Sequence, residues 1–281
     1  MKLVQHRDGL ALIAVPSPTI PPATTTNAWI IGKKHRFIID PAAHREQTQQ
    51  ELLSLLQPLS IHGIVLTHHH NDHIASAVFL SENLYPNTIV PIYAHPHTAT
   101  LLPFVVHHLL QHNDVLYPDQ DVETEISEGW RVIHTPGHAP GHICLHSDAD
   151  ASLIAGDMVA GEGTILIQPK EGSIREYIRS LLSLQERQPS KLLPAHGPIL
   201  DNPADTLQQY IDHRLHRVAQ IYDILSSKAQ QGYTPEDIAA IIYADLPKQF
   251  LRIASIQVEC GLLYLAEDGV VGVSDGVWTC T

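Results

Sequence analysis

Thr67-His68-His69-His70-Asn71-Asp72-His73 follows directly on the apolar run Ile64-Val65-Leu66. His68, His70, Asp72 and His73 make an H-x-H-x-D-H pattern, with His69 and Asn71 at its variable places. Imidazole and carboxylate are ligands suited to zinc, iron or manganese. In an extended segment residues i and i+2 point the same way, so His68 and His70 can grip one ion together. Asp72 and His73 fall where the chain is expected to turn into a helix, and can serve a second ion beside the first. A polar surface turn, the bland alternative, seldom gathers so many ligand groups.

Four further motifs lie where strands are expected to end. Thr135-Pro136-Gly137-His138 follows the strand-like Trp130–His134, and Gly156-Asp157 follows Ser152–Ala155. Pro194-Ala195-His196-Gly197 follows Lys191–Leu193, and Asp40 closes Phe37-Ile38-Ile39. Each motif alone reads as a turn. Together they describe a site built at the carboxyl ends of several strands, where residues distant in sequence meet on one edge.

The first 200 or so residues alternate strand-like and helix-like segments, the mark of an α/β fold. Leu10–Val15, Ala28–Gly32, Arg36–Asp40, Ile89–Ala94 and His142–His146 read as further strands. Arg45–Leu56, Ile74–Leu80 and a segment opened by Ser173-Ile174-Arg175-Glu176 read as helices. The stretch His95–Asp121 has no clear period and reads as a long loop or lid. Its residues His95, His97, His107, His108 and His112 read as solvated. His69 is expected to pack or face away from the cluster, and Cys144 to be a core residue.

The pattern changes after Pro203. Ala204–Gln230 is a long amphipathic helix pattern, and Thr234-Pro235-Glu236-Asp237 starts another, with Thr as N-cap and Pro at the first position. Lys248–Leu265 reads as a third helix. Asp268-Gly269, Val270–Ser274 and Asp275-Gly276 then read as a hairpin. Three helices and a hairpin are the order of a winged-helix module. The division expected is a catalytic domain over 1–202 and a small, mainly helical winged-helix-like domain over 203–281.

The chain has 281 residues, 44% of them hydrophobic, and no apolar run long enough to span a membrane. Its opening residues lack the apolar stretch of a secretory signal, and its three cysteines form no CxxC pair. A cytoplasmic protein with no membrane partner is expected, with a homodimer allowed. Against 17 basic residues stand 30 acidic ones, a net charge of −13, which disfavours reliance on non-specific phosphate contacts.

The motifs THHHNDH (67–73), TPGH (135–138), GD (156–157) and PAHG (194–197) resemble those of the metallo-β-lactamase superfamily. The early TTNAWIIG (25–32) and FIID (37–40) are similar to its opening strands. The resemblance implies an αββα sandwich with a dinuclear metal site at one edge. His68, His70 and His138 would hold the first metal, Asp72, His73 and His196 the second, with Asp157 bridging. Asp40 matches a position that orients a ligand from behind. His142 is expected to act likewise or to touch substrate. MVAGEGTI (158–165), YIDHR (210–214) and the winged-helix end resemble the β-lactamase-like protein 2 branch. That branch includes endoribonucleases and, in related enzymes, thioesterases acting on acyl carrier proteins.

A hydrolase with two zinc ions, or manganese or iron, and a metal-bridging hydroxide is therefore expected. Asp72 and Asp157 are its expected catalytic carboxylates. The favoured substrate is an ester or thioester of a small acyl group, and the alternative is single-stranded RNA cut as an endoribonuclease does. A mononuclear-iron persulfide dioxygenase and a winged-helix nucleic-acid regulator rank lower. The third helix offers few cations for reading bases.

Overall fold

The computed structural model describes residues 1–119, 128–227 and 232–281. Strands β1 (Leu3–Arg7), β2 (Leu10–Pro16), β3 (Thr25–Ile31) and β4 (Arg36–Ile39) pair antiparallel in sequence order. Helix α1 (Glu46–Leu56) then crosses to β5 (Ile61–Val65), parallel to β4. Helices α2 (Asn71–Ile74) and α3 (Ala77–Asn83) lead to β6 (Ile92–Ala94), and α4 (Pro96–Leu101) leads to β7 (His108–Leu109). All of these strands form one sheet in the order β1 to β7.

A second sheet takes β8 (Val115–Leu116), β9 (Trp130–His134), β10 (Ile143–Ser147), β11 (Ser152–Gly156) and β12 (Lys191–Pro194). Its last two strands are parallel and joined through α5 (Ile174–Glu186). The chain ends in α6 (Pro203–Ser227), α7 (Pro235–Ile242), α8 (Leu251–Glu267) and the hairpin of β13 (Val271–Ser274) and β14 (Val277–Cys280). Asp275 and Gly276 both have positive φ, 51° and 78°, as the tight hairpin turn requires.

Three buried clusters define the layers. Trp29, Ile31, Ile39 and Val65 of the first sheet meet Trp130, Val132, Ile143 and Leu145 of the second. The alternate residues Ala28, Ile30, Ile38 and Ile64 face outward against Leu52, Leu56, Ala77 and Leu80 of the helices. On the other side, Ile133, Cys144, Leu153 and Leu192 face α5 and the C-terminal helices. Strands covered on both faces carry continuous apolar runs, which is why Ala28–Ile31 of β3 shows no alternation. The result is the αββα sandwich with a C-terminal winged-helix module.

Several local expectations shift. The helix expected over Ile74–Leu80 is split in two. Ser76 sits at the break, its amide bonding the Pro41 carbonyl (2.9 Å) and its hydroxyl the Ala43 carbonyl (2.7 Å). Those bonds draw the break onto the loop after β4. The strand expected from Ile89 begins only at Ile92, after Pro91, and Ile89 itself is exposed. The edge strand β1 was not anticipated, because its residues are almost all exposed and carry no alternation. The stretch from His95 is not a structureless lid: it supplies α4 and the edge strands β7 and β8. Residues 120–121 of that stretch and 228–230 of the expected long helix lie outside the described residues. No helix among the described residues is long and apolar enough to cross a membrane.

Asn27 ties the two sheets together beside the site. Its side-chain amide donates to the Pro194 carbonyl (2.9 Å) and the Gly197 carbonyl (2.8 Å), and its backbone amide to the Ala195 carbonyl (2.7 Å). Asn27→Ala removes a donor from the Gly197 carbonyl and leaves the Pro194 carbonyl to Trp29 Nε1 (3.2 Å), so the unfolding free energy from urea titration should fall by about 1–3 kcal/mol.

Candidate metal centre

The candidate residues come from the ends of five strands. Asp40 follows β4, and His68 and His70 lie in the loop after β5. Asp72 and His73 occupy the first turn of α2. His138 follows β9, Asp157 follows β11 and His196 follows β12. Gly156 has φ +49°, and a Cβ there would lie 2.5 Å from His142 Nε2. Only glycine lets the chain turn so close to that ring and deliver Asp157.

Two groups of ligand atoms converge. His68 Nε2 and His70 Nδ1 are 2.9 Å apart, and His138 Nε2 lies 3.2 Å from the first and 3.0 Å from the second. Nitrogens bound tetrahedrally to one zinc would sit about 3.3 Å apart, given Zn–N bonds near 2.0–2.1 Å. In the second group, His196 Nε2 is 3.5 Å from Asp72 Oδ2, and His73 Nε2 is 4.0 Å from Asp72 Oδ1. Asp157 faces both groups: Oδ1 is 3.4 Å from His73 Nε2 and from His196 Nε2, and Oδ2 is 3.4 Å from His138 Nε2.

The other nitrogen of each ring is occupied from behind. His73 Nδ1 bonds Asp40 Oδ2 (2.8 Å), and His138 Nδ1 bonds the Leu166 carbonyl (2.8 Å). His196 Nδ1 bonds the Thr25 carbonyl (3.0 Å), and His70 Nε2 bonds Glu171 Oε1 (3.1 Å). Thr67 donates its hydroxyl to Asp40 (2.7 Å), so that oxygen can accept from His68 Nδ1 (3.0 Å). An N–H committed to an oxygen behind leaves a lone pair in front, the form a metal needs.

Burial and the carboxylates pull the rings of this donor set in opposite directions, lowering His68 and His138 and raising His73 and His196. Burial holds His138 down at about 4 and His68 well below the usual imidazole range, so both rings are neutral. Burial would also lower His73, but Asp157 and Asp40 together raise it. Burial would raise Asp72, yet the hydrogen bond from His196 and the charge of His73 hold it at about 2. His73 Nε2 and Asp157 Oδ1 are buried without a hydrogen-bond partner. Orphaned buried atoms are costly unless something binds them. Converging lone pairs, orphaned ligand atoms and buried carboxylates fit a metal centre.

His142 lies behind Asp157: its Nε2 accepts from the Asp157 amide (3.0 Å), and its Nδ1 meets the Thr135 hydroxyl (2.8 Å). Of the two expectations for His69, it packs: it is partly buried and its Nε2 bonds Glu171 Oε2 (2.8 Å). Glu171 thus holds two neighbouring histidines, and their hydrogen bonds lower its carboxyl far below the usual range. Sequence reading missed Glu171; it sits in an unremarkable loop with no motif around it. In the His-rich segment His97, His107, His108 and His112 are exposed as expected, and His95 is the exception. His95 is buried and stacks on His134 at 4.0 Å, His108 stacks on Tyr93 at 4.5 Å, and His107 accepts from the Ile92 amide. None of these lines the cavity above the centre. Cys144 is buried in the core, as expected.

The C-terminal helices shape the same cavity. Arg214 on α6 donates to the Ile165 carbonyl and to Gln257 Oε1 on α8 (3.1 Å). Gln257 Nε2 donates to the Ile167 carbonyl (2.6 Å), and Tyr210 bonds the backbone of Ala160. YIDHR therefore grips the MVAGEGTI loop, whose Thr164 and Ile165 line the centre.

Residues 21–196 match the family model described as the metallo-beta-lactamase superfamily. The chain belongs to that superfamily. Residues 234–278 match the beta-lactamase associated winged helix domain. The chain is 27% identical over 259 residues to a beta-lactamase-like protein 2 homolog of Drosophila melanogaster, spanning 89% of this chain and 85% of that one. It is 26% identical over 258 residues to an atrochrysone carboxyl ACP thioesterase of Passalora fulva, spanning 88% and 72%. A beta-lactamase domain protein from Burkholderia ambifaria shares the fold with a TM-score of 0.84 at 18% identity, over 99% of this chain and 93% of that one.

Glu171→Gln keeps the shape but loses the carboxylate behind His70. Metal affinity measured by chelator competition should fall about 10–100-fold, while the unfolding midpoint of the metal-free protein moves little.

Proposed function

We propose that this superfamily member is a dinuclear zinc hydrolase acting on a thioester or ester of an acyl substrate. His68, His70 and His138 would hold one ion, and Asp72, His73 and His196 the other, with Asp157 facing both. Bound zinc supplies a lowered water pKa and polarises the acyl oxygen. The observation that carries the acyl reading is the cavity above the centre. It contains Thr19, Glu162 and Gln168 but neither Lys nor Arg among its described lining residues. A phosphodiester polyanion would need cations along its track, whereas a neutral thioester needs none. The likeness to an acyl-carrier-protein thioesterase supports the same choice.

Asp72 and Asp157 act as the catalytic carboxylates. Asp72, held ionised, orients the attacking water and accepts its proton at an Oδ atom. Water oxygen adds to the acyl carbon, the C–S bond breaks, and the sulfur leaves with its electron pair and takes a proton. The products are a carboxylate and a thiol. Asp40 and His142 act on position alone, fixing His73 and the Asp157 backbone. Residues 203–281 serve as a wall of the substrate cleft.

Metal analysis joined to a panel of acyl thioesters, lactones and single-stranded RNA tests the reading. Roughly two equivalents of zinc per chain and thioester turnover lost in chelator are expected. Asp157→Ala and His70→Ala should lose turnover by at least about a thousandfold together with metal content. Chelator-sensitive RNA cleavage with inert thioesters overturns the reading, and so does a single tightly held iron with oxygen consumption.

A further inference from the structure

A second cavity, about 420 Å³, lies between the catalytic layers and the winged-helix module. It is larger than the one above the metal centre, which measures about 160 Å³. Ile20, Thr164 and Leu166 line both, so the two spaces are neighbours across a single row of side chains. The remaining wall is chiefly apolar, with Val218 and Ile221 from α6, Ala254 and Val258 from α8, and Leu246 and Phe250 at the rim. Leu246 and Phe250 are more than a third exposed. Its volume falls in the range of small-molecule sites.

Interiors are ordinarily packed to near-crystalline density. Here the elements around the gap are held apart by fixed polar struts. Arg214 spans from α6 to the Ile165 carbonyl, and Gln257 spans from α8 to both the amide and the carbonyl of Ile167. These bonds fix the position of the helices relative to the loop, beside the reacting centre. An apolar chamber beside a hydrolytic site matches a substrate with one polar and one apolar half. His213, Arg214, Arg217 and Gln257 are among its polar lining residues, and a hydrocarbon would lie against Val218, Ile221 and Ala254.

We propose that this chamber takes the hydrocarbon part of a medium-chain acyl thioester, whose thiol-bearing arm leaves past Thr19, Glu162 and Gln168. The inference rests on the thioesterase reading above and adds a substrate class to it. The chamber sets chain-length selectivity, and the winged-helix module supplies most of its wall.

The test uses S-acyl pantetheines from acetyl to decanoyl with the zinc-loaded protein. In parallel, a non-hydrolysable octanoyl amide analogue is titrated into metal-free protein by calorimetry. Specificity kcat/KM should rise about fourfold per added methylene, the gain from moving each one out of water, and level off when the chamber is full. The amide analogue should bind the metal-free protein. Ala254→Phe fills the chamber, and Leu246→Glu places a carboxylate at its partly exposed rim, where folding tolerates it. Either should cut the octanoyl-to-acetyl ratio of kcat/KM at least tenfold and weaken the analogue. Thioester hydrolysis with no chain-length dependence and no analogue binding overturns this inference and leaves the thioesterase reading intact. Inert thioesters with analogue binding that both substitutions weaken overturn the thioesterase reading and keep the chamber as an apolar-ligand site.

Discussion

Asp40 is the buried carboxylate on which the centre rests. It ends β4 at a positive φ of 53° and is almost wholly enclosed. Its two oxygens accept from the Thr67 amide, the Thr67 hydroxyl and His73 Nδ1. That single group joins the ends of two adjacent parallel strands, fixes the ring of one candidate ligand and, through Thr67, positions a second. A buried carboxylate is tolerable only when so fully bonded, and each of those bonds also aims an imidazole. Stability and geometry at this edge are therefore one requirement.

The same economy recurs around the site. Leu166 and Thr25 lend backbone carbonyls, and Glu171 and Thr67 lend side chains, so that every candidate histidine is held from behind by oxygen. The front faces are then left with lone pairs, two carboxylates and orphaned buried atoms. In isolation that arrangement is unfavourable, because like groups converge within about 3 Å in a low-dielectric interior. The sandwich compels it by packing two apolar sheets whose strand ends cannot move apart. Bound metal would relieve it, which is the physical sense in which this edge suits a metal centre.

The C-terminal module belongs to this structure as much as the sheets do. One continuous buried cluster runs from Ile133 and Leu153 through α5 and α6 to α8 and the final hairpin. Arg214 and Gln257 carry that continuity to the loop over the centre. The inward faces of α6 and α8 are spent on this packing and on the apolar chamber, with Val218, Ala254 and Val258 facing the chamber.

Much of this was legible in the residues themselves. The ligand motifs are local: H-x-H-x-D-H, Gly-Asp and Pro-Gly-His announce both chemistry and the turns that present it. Apolar runs such as Ala28–Ile31 marked strands, and Thr234-Pro235 marked a helix start that the structure places at those same residues, Thr234 as N-cap and Pro235 first. Other features had no local signature. The break at Ser76 depends on carbonyls of Pro41 and Ala43, and the order within the His-rich segment depends on Tyr93 and His134 beside it. Glu171 reaches His69 and His70 across about a hundred positions of chain. Sequence alone indicated which residues could bind metal and on which strand ends they stood, because ligand type and turn chemistry are written over a few neighbouring residues. Only the tertiary structure decided what stands behind each ligand and what shape of substrate fits in front, because those are contacts between segments that packing alone brings together.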